Sequence, residues 1–223
     1  MTFRTRIVSA MKGLQVPGAG ASGGDKKNYT EKLSHRVSQV VADELKIRGL
    51  TGIRAPGPGH DKQFMGGYGT KGVDVYLSDE KHGLLLTSGV KGLVFDPRKN
   101  LKNRYRDMLM EALELHKRFP YAICGHLFFL GKSEAQAASA RFGSVLGEAI
   151  ALLSNITGRK RPEDPPELYE TMGILLLEPG EPNSVDLTPE GIPTELRAEG
   201  YCERLVQSFQ TRNPFYGGGA ADA

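Results

Sequence analysis

The sequence predicts an α/β fold in which a central mixed β-sheet is flanked by helices, in αβββαβ order, with additional C-terminal helices. Three observations carry this. Apolar residues recur at helical spacing from Thr30 to Gly49 and again from about Asn100 to Lys117. Between and after them come apolar runs of strand length, GVDVYL, GLLLTSGVKGL and YAICGHLFFL. The 223 residues are 39% hydrophobic and 25% charged, enough for one sizeable core.

Each element has a local reason. Met1 to Gly13 is a short amphipathic start, and Gly13 to Gly24 (GLQVPGAGASGG) reads as flexible loop. Thr30 is the expected N-cap of the first core helix, Leu33, Val37, Val40, Glu44 and Ile47 form its stripe, and Gly49 ends it. An extra strand is allowed somewhere in 51–70. Gly72 to Leu77 alternates, with Val73, Val75 and Leu77 on one face; Ser78 to Lys81 is a turn, and Gly83 to Val94 is a long strand. The helix from Asn100 or Asn103 stops before Pro120, and Tyr121 to Leu130 is a buried strand. Glu134 to Ile156 is expected to be one helix, Met172 to Leu177 a strand at a sheet edge, and Thr194 to Gln210 a last helix.

Composition excludes several classes. Cys124 and Cys202 stand far apart, so a disulfide scaffold and a zinc site of clustered cysteines are not expected. No apolar run approaches the roughly 18 residues of a membrane span, and a reduced cytoplasmic protein is the expectation. Gly66 to Gly72 lacks the GxxxxGK[ST] pattern and precedes a strand, which argues against a phosphate loop. The formal net charge of +3 permits a polyanionic partner without requiring one.

Asp74 lies in an otherwise apolar strand, and an ionised carboxylate there must be solvated in a cleft, paired or metal-bound. Lys91 poses the same question at the end of LLLTSGVK. On an antiparallel hairpin the two meet near one sheet edge, an arrangement suited to phosphodiester hydrolysis. Asp74 and the Val90 backbone carbonyl offer oxygens to Mg2+, with Mn2+ as a substitute, while Lys91 positions water and stabilises the transition state. Glu44 falls about 20° from Leu33 on the helical wheel, within the apolar stripe. A functional carboxylate and a buried ion pair both explain it.

GVDVYL followed by GLLLTSGVKGL, after a glutamate-bearing helix and before a helix and YAICGHLFFL, resembles the restriction-endonuclease-like PD-(D/E)xK nucleases over about residues 31–130. The resemblance implies a type II restriction endonuclease that cuts double-stranded DNA, leaves 5′-phosphates and acts as a homodimer. It maps Asp74 to the aspartate that binds metal, Lys91 to the lysine and Glu44 to the first-helix glutamate. No proline precedes Asp74, and Gly89 stands where the family carries Asp or Glu. A carboxylate from the following helix, Asp107 or Glu111, is the expected replacement as metal ligand.

From Lys91 to Arg118 basic residues outnumber acidic ones eight to four. Arg98, Lys99, Lys102 and Arg106 are therefore the expected DNA-backbone contacts. Lys26, Lys27, Asn28 and the glycine-rich 55–70 region are candidates for loops touching DNA grooves, and the trio His60, Asp61 and Lys62 is a candidate for the cleft border or a polar loop, whereas His116 and His126 read as structural and His35 as surface. A short basic knot, Arg159-Lys160-Arg161, has no assigned role. The expected organisation is an N-terminal segment 1–30, one domain 31–216 with its core in 31–130 and an elaboration in 131–216, and a disordered tail 217–223. Two rivals to the enzyme remain: a non-catalytic nucleic-acid-binding protein with the same fold, and a structural or assembly protein.

Overall fold

In the computed structural model, residues 1–57 and 62–216 are described; the expected disordered tail 217–223, and His60 and Asp61, lie outside the described residues. Helix α1 spans Phe3–Met11 and α2 spans Gly23–Ile47. Strands β1 (Lys62–Met65) and β2 (Thr70–Val73) pair as a separate hairpin. Then follow β3 (Val75–Asp79), β4 (Gly83–Leu93), α3 (Pro97–Arg118) and β5 (Ile123–Gly131). A short helix α4 (Lys132–Ala135) and a small hairpin, β6 (Ala138–Ser139) and β7 (Gly143–Ser144), lead into α5 (Val145–Ser154). The chain closes with β8 (Thr171–Glu178), β9 (Glu181–Asp186) and α6 (Tyr201–Arg212).

The central sheet is mixed, with strand order β3-β4-β5-β8-β9. Strand β4 is antiparallel to β3 and parallel to β5, β5 is parallel to β8, and β9 returns antiparallel. Helices cover both faces. Alternation along β5 divides its side chains: Ile123, Leu127 and Phe129 enter a core with α1, α2 and α6, while Cys124, Phe128 and Leu130 enter one with α3 and α5. All nine residues of β5 are buried, as a strand with helices on both faces requires. Among the described residues no helix is long and apolar enough to cross a membrane.

Several boundaries differ from expectation for identifiable reasons. Helix α2 starts two turns before Thr30 because Ser22 and Asp25 form a reciprocal capping box that overrides the weak helix preference of Gly23 and Gly24. The stretch expected as one helix over Glu134–Ile156 is split. Gly143 takes a left-handed φ of 74° and Ser144 caps α5 through Gly147 N–H, so a tight hairpin intervenes. Strand β8 is interior rather than marginal, since β9 covers its outer side. The alternation expected from Gly72 to Leu77 breaks at Asp74: Val73 packs toward α3, while Val75 and Leu77 pack toward α2.

Glu170, immediately before β8, ties four elements together. Its Oε2 accepts the Cys124 N–H at 2.7 Å and its Oε1 faces Arg159 at 2.7 Å and Arg212 at 2.5 Å, while His116 lies 3.3 Å from Oε2. The carboxylate side chain is only 1% exposed. Burial raises its pKa, but His116, the Cys124 N–H and Arg212 outweigh that effect and hold it below the usual range. The depressed value means that this stabilisation is present above the unfolded-state pKa and lost as pH falls through the folded-state one. Glu170→Gln strands two buried guanidinium groups and is expected to cost about 3–5 kcal/mol. Urea unfolding should show that loss at pH 7, with the gap between variant and wild type shrinking as the pH is lowered below the carboxylate range.

Candidate functional site

The break at Asp74 creates the candidate site. Asp74 stands between β2 and β3, one residue beyond the Val75–Ser88 pair of the β3–β4 ladder. Its Oδ2 accepts the Val90 N–H at 2.8 Å and faces the Lys91 ammonium at 3.4 Å. The two strand residues singled out in the sequence thus share one cleft. Val90, whose backbone carbonyl is the expected metal ligand, contacts Asp74 through its N–H as the donor.

Gly89 decides what fills the rest. A Cβ built there would lie 2.5 Å from His126 Nδ1 and 2.9 Å from Glu111 Oε1. The carboxylate of Glu111, carried by α3, therefore occupies the space into which an acidic side chain at position 89 would project. His126 is its neighbour across the β4–β5 ladder, paired in register with Gly89. It is completely buried, has no hydrogen-bond partner on either ring nitrogen, and is held neutral by burial with Lys91 and Arg104 nearby.

The electrostatics separate two roles. Burial pushes Glu111 up to about 7; Lys91 opposes that rise and Asp74 adds to it. Burial alone would lower the Lys91 pKa, but Asp74 and Glu111 more than compensate, so its value is raised and it remains a cation. Glu111 is thus poised to exchange a proton near neutrality, and Lys91 is a fixed positive charge. The cleft has a volume of about 650 Å³; Lys32 and Arg36 of α2 line it together with Asp74, Lys91 and Arg104.

Other expected site residues lie elsewhere. Glu44 is buried, but its carboxylate is held by Arg6 and Arg48. The last α2 residue that lines the cleft is Arg36, and Glu44 stands 8 positions further along, about 12 Å at helical rise. Its place in the stripe reflects an ion pair under α1. Asp107 is exposed and pairs with Arg104 at 3.4 Å. Relative to Arg104, Arg98, Lys99, Lys102 and Arg106 fall about 120–220° around α3, whereas Glu111 falls at about 340°. All four basic residues are exposed and none lines the cleft; Lys102 approaches Glu148 at 3.9 Å. The cations at the cleft are different ones, Lys32, Arg36 and Arg104.

The expectation of Mg2+, with Mn2+ as substitute, is overturned. Among the described residues, the grouping of metal-ligating side chains that the fold assembles is His116, Cys124 and Glu170, with ligand atoms within 4.8 Å of one another. This buried cluster can coordinate a metal ion. Its nitrogen, sulfur and oxygen donors are of zinc type, whereas Mg2+ takes oxygen ligands. In the cleft, Asp74 accepts from an amide and an ammonium through Oδ2, and neither Glu44 nor Asp107 joins it. The cluster was not visible in the sequence because its members come from the end of α3, the start of β5 and the residue before β8.

No family model, curated protein or solved structure matches the chain.

Two variants test the cleft. Gly89→Ala pushes a methyl group against His126 and Glu111 and is expected to destabilise by about 1–3 kcal/mol in denaturant titration. Glu111 has a folded-state value raised from 4.5 to about 7, so its stabilising contribution is full below about 4.5 and is lost as pH rises toward 7. Glu111→Gln should abolish that decline, leaving a protein more stable than wild type at pH 8 by thermal unfolding.

Proposed function

We propose that this chain is a nuclease that hydrolyses phosphodiester bonds of double-stranded DNA in the Asp74 cleft. The observation that carries the reading is the Glu111 carboxylate standing in for the absent side chain of Gly89, beside Asp74 and Lys91. The mixed sheet flanked by helices fits a nuclease-like architecture. The order of Asp74, Lys91 and a helix-borne acid supports membership of the PD-(D/E)xK nucleases and kinship with type II restriction enzymes.

The chemistry follows from the charges. Glu111 takes a proton from a water, whose oxygen attacks phosphorus in line with the departing O3′. The new P–O bond forms as the P–O3′ bond breaks, leaving a 5′-phosphate, and solvent returns a proton to the O3′. Negative charge grows on the phosphoryl oxygens in the transition state, where the Lys91 ammonium and the Arg104 guanidinium stabilise it. Asp74 holds Lys91 in place through Oδ2. Lys32 and Arg36 supply sequence-independent attraction for the backbone. A homodimer places one such cleft on each strand.

Purified chain incubated with mixed duplex DNA tests this. Cleavage is expected to rise with pH along a limb centred near 7, the value to which Glu111 is raised. Asp74→Asn and Lys91→Ala should abolish cleavage, and Glu111→Gln should lower kcat by about 10²–10⁴-fold. Parallel reactions with chelator and with a series of added cations record any metal requirement independently. Salt-dependent binding without cleavage under every condition would instead favour the non-catalytic nucleic-acid-binding protein.

A further inference from the structure

A cavity of about 620 Å³ lies at the opposite end of the parallel strands from the cleft. Lys91 stands opposite Phe128, while Glu170, in the cavity wall, binds the Cys124 N–H four residues earlier on β5. At strand rise this separates the two places by about 13 Å. Arg159, Lys160, Arg161, Arg204 and Arg212 line the cavity, and Glu170 is its single acidic side chain.

Five like charges around one concavity repel one another, and the internal partners do not balance them. Glu170 carries one negative charge and shares it between Arg159 and Arg212. Arg204 donates only to neutral acceptors, the Thr171 hydroxyl and the carbonyls of Met172 and Arg197. Lys160 and Arg161 are exposed. Asp164 accepts their backbone N–H groups, and among the described residues their side chains enter no salt bridge. Arg159, only 3% exposed, also keeps a buried Nε–H without an acceptor. The Ser208 hydroxyl on α6 adds a further donor to the wall, while Thr211 donates its own to the Gln207 carbonyl.

We propose that this cavity is a phosphate-binding site, separate from the Asp74 cleft. Surplus positive charge, guanidinium groups and the Ser208 hydroxyl around one concave space match a tetrahedral, multiply charged anion with many acceptor oxygens. The volume leaves room for a group attached to the phosphate. The ligand is either a small phosphate ester or a phosphate of a nucleic-acid strand, and the site's existence does not depend on hydrolysis in the cleft.

Calorimetry on the full chain with inorganic pyrophosphate as probe tests it. Saturable binding is expected in wild type and in Asp74→Asn, together with a rise in Tm. The double variant Lys160→Glu/Arg161→Glu should weaken binding by about tenfold or more, with an unchanged circular dichroism spectrum because both side chains are exposed. Should that pair disturb folding, Lys160→Gln/Arg161→Gln provides the same comparison. Displacement of pyrophosphate by duplex DNA from both wild type and Asp74→Asn assigns the phosphate to a nucleic-acid strand. Retention of pyrophosphate assigns it to a small ester. Absence of saturable binding, equal affinity in the charge variants, or loss of binding in Asp74→Asn alone would overturn the proposal.

Discussion

A missing side chain at position 89 governs the cleft. Strand β4 brings its backbone so close to His126 and Glu111 that even one methyl group there would collide with both. Because the strand is bare at that point, α3 can deliver a carboxylate to the sheet surface, next to the place where Asp74 and Lys91 meet. An acid carried by β4 itself would have a side chain anchored to a ladder-bonded strand. The acid carried by α3 is instead pressed against buried residues, and that burial moves its proton affinity toward neutrality.

The cleft and the Glu170 network treat buried charge in opposite ways. Glu170 is met by two guanidinium groups and an amide, with an imidazole beside it, so it remains ionised and braces β5, β8 and α6. Glu111 has no such set of donors; Lys91 is shared with Asp74, and the neighbouring imidazole is neutral. The first arrangement stabilises a single protonation state. The second keeps two states close in free energy, which suits proton transfer and costs stability above neutral pH.

The central pairing was legible in the sequence: a polar residue in an apolar strand, a lysine ending the next strand, and an antiparallel hairpin that brings the two together at one edge. The gap at Gly89 was legible too, but its occupant was not. Glu44, Asp107 and Glu111 are all acids on flanking helices, and only packing separates them. Glu44 sits in an apolar stripe because Arg6, on a helix with little sequence signal, lies against it. The basic run 98–106 was visible as composition, yet helical phase turns it away from the cleft, whereas Lys32 and Arg36 enter from a helix read mainly for its apolar face. His116, Cys124 and Glu170 converge across three separate elements, and no local spacing announces such a cluster. The expectation of an oxygen-ligated Mg2+ failed at this level, because ligand geometry belongs to the tertiary fold.

The most direct measurement is the titration of the Glu111 side-chain carboxyl by carbon-13 NMR in protein labelled at glutamate. The carboxyl should titrate near 7 in wild type, shift upward when Lys91 is replaced by Met, and shift downward when Asp74 is replaced by Asn. A Glu111 carboxyl that titrates near 4.5 and ignores both replacements would mean that it does not share a buried pocket with Asp74 and Lys91.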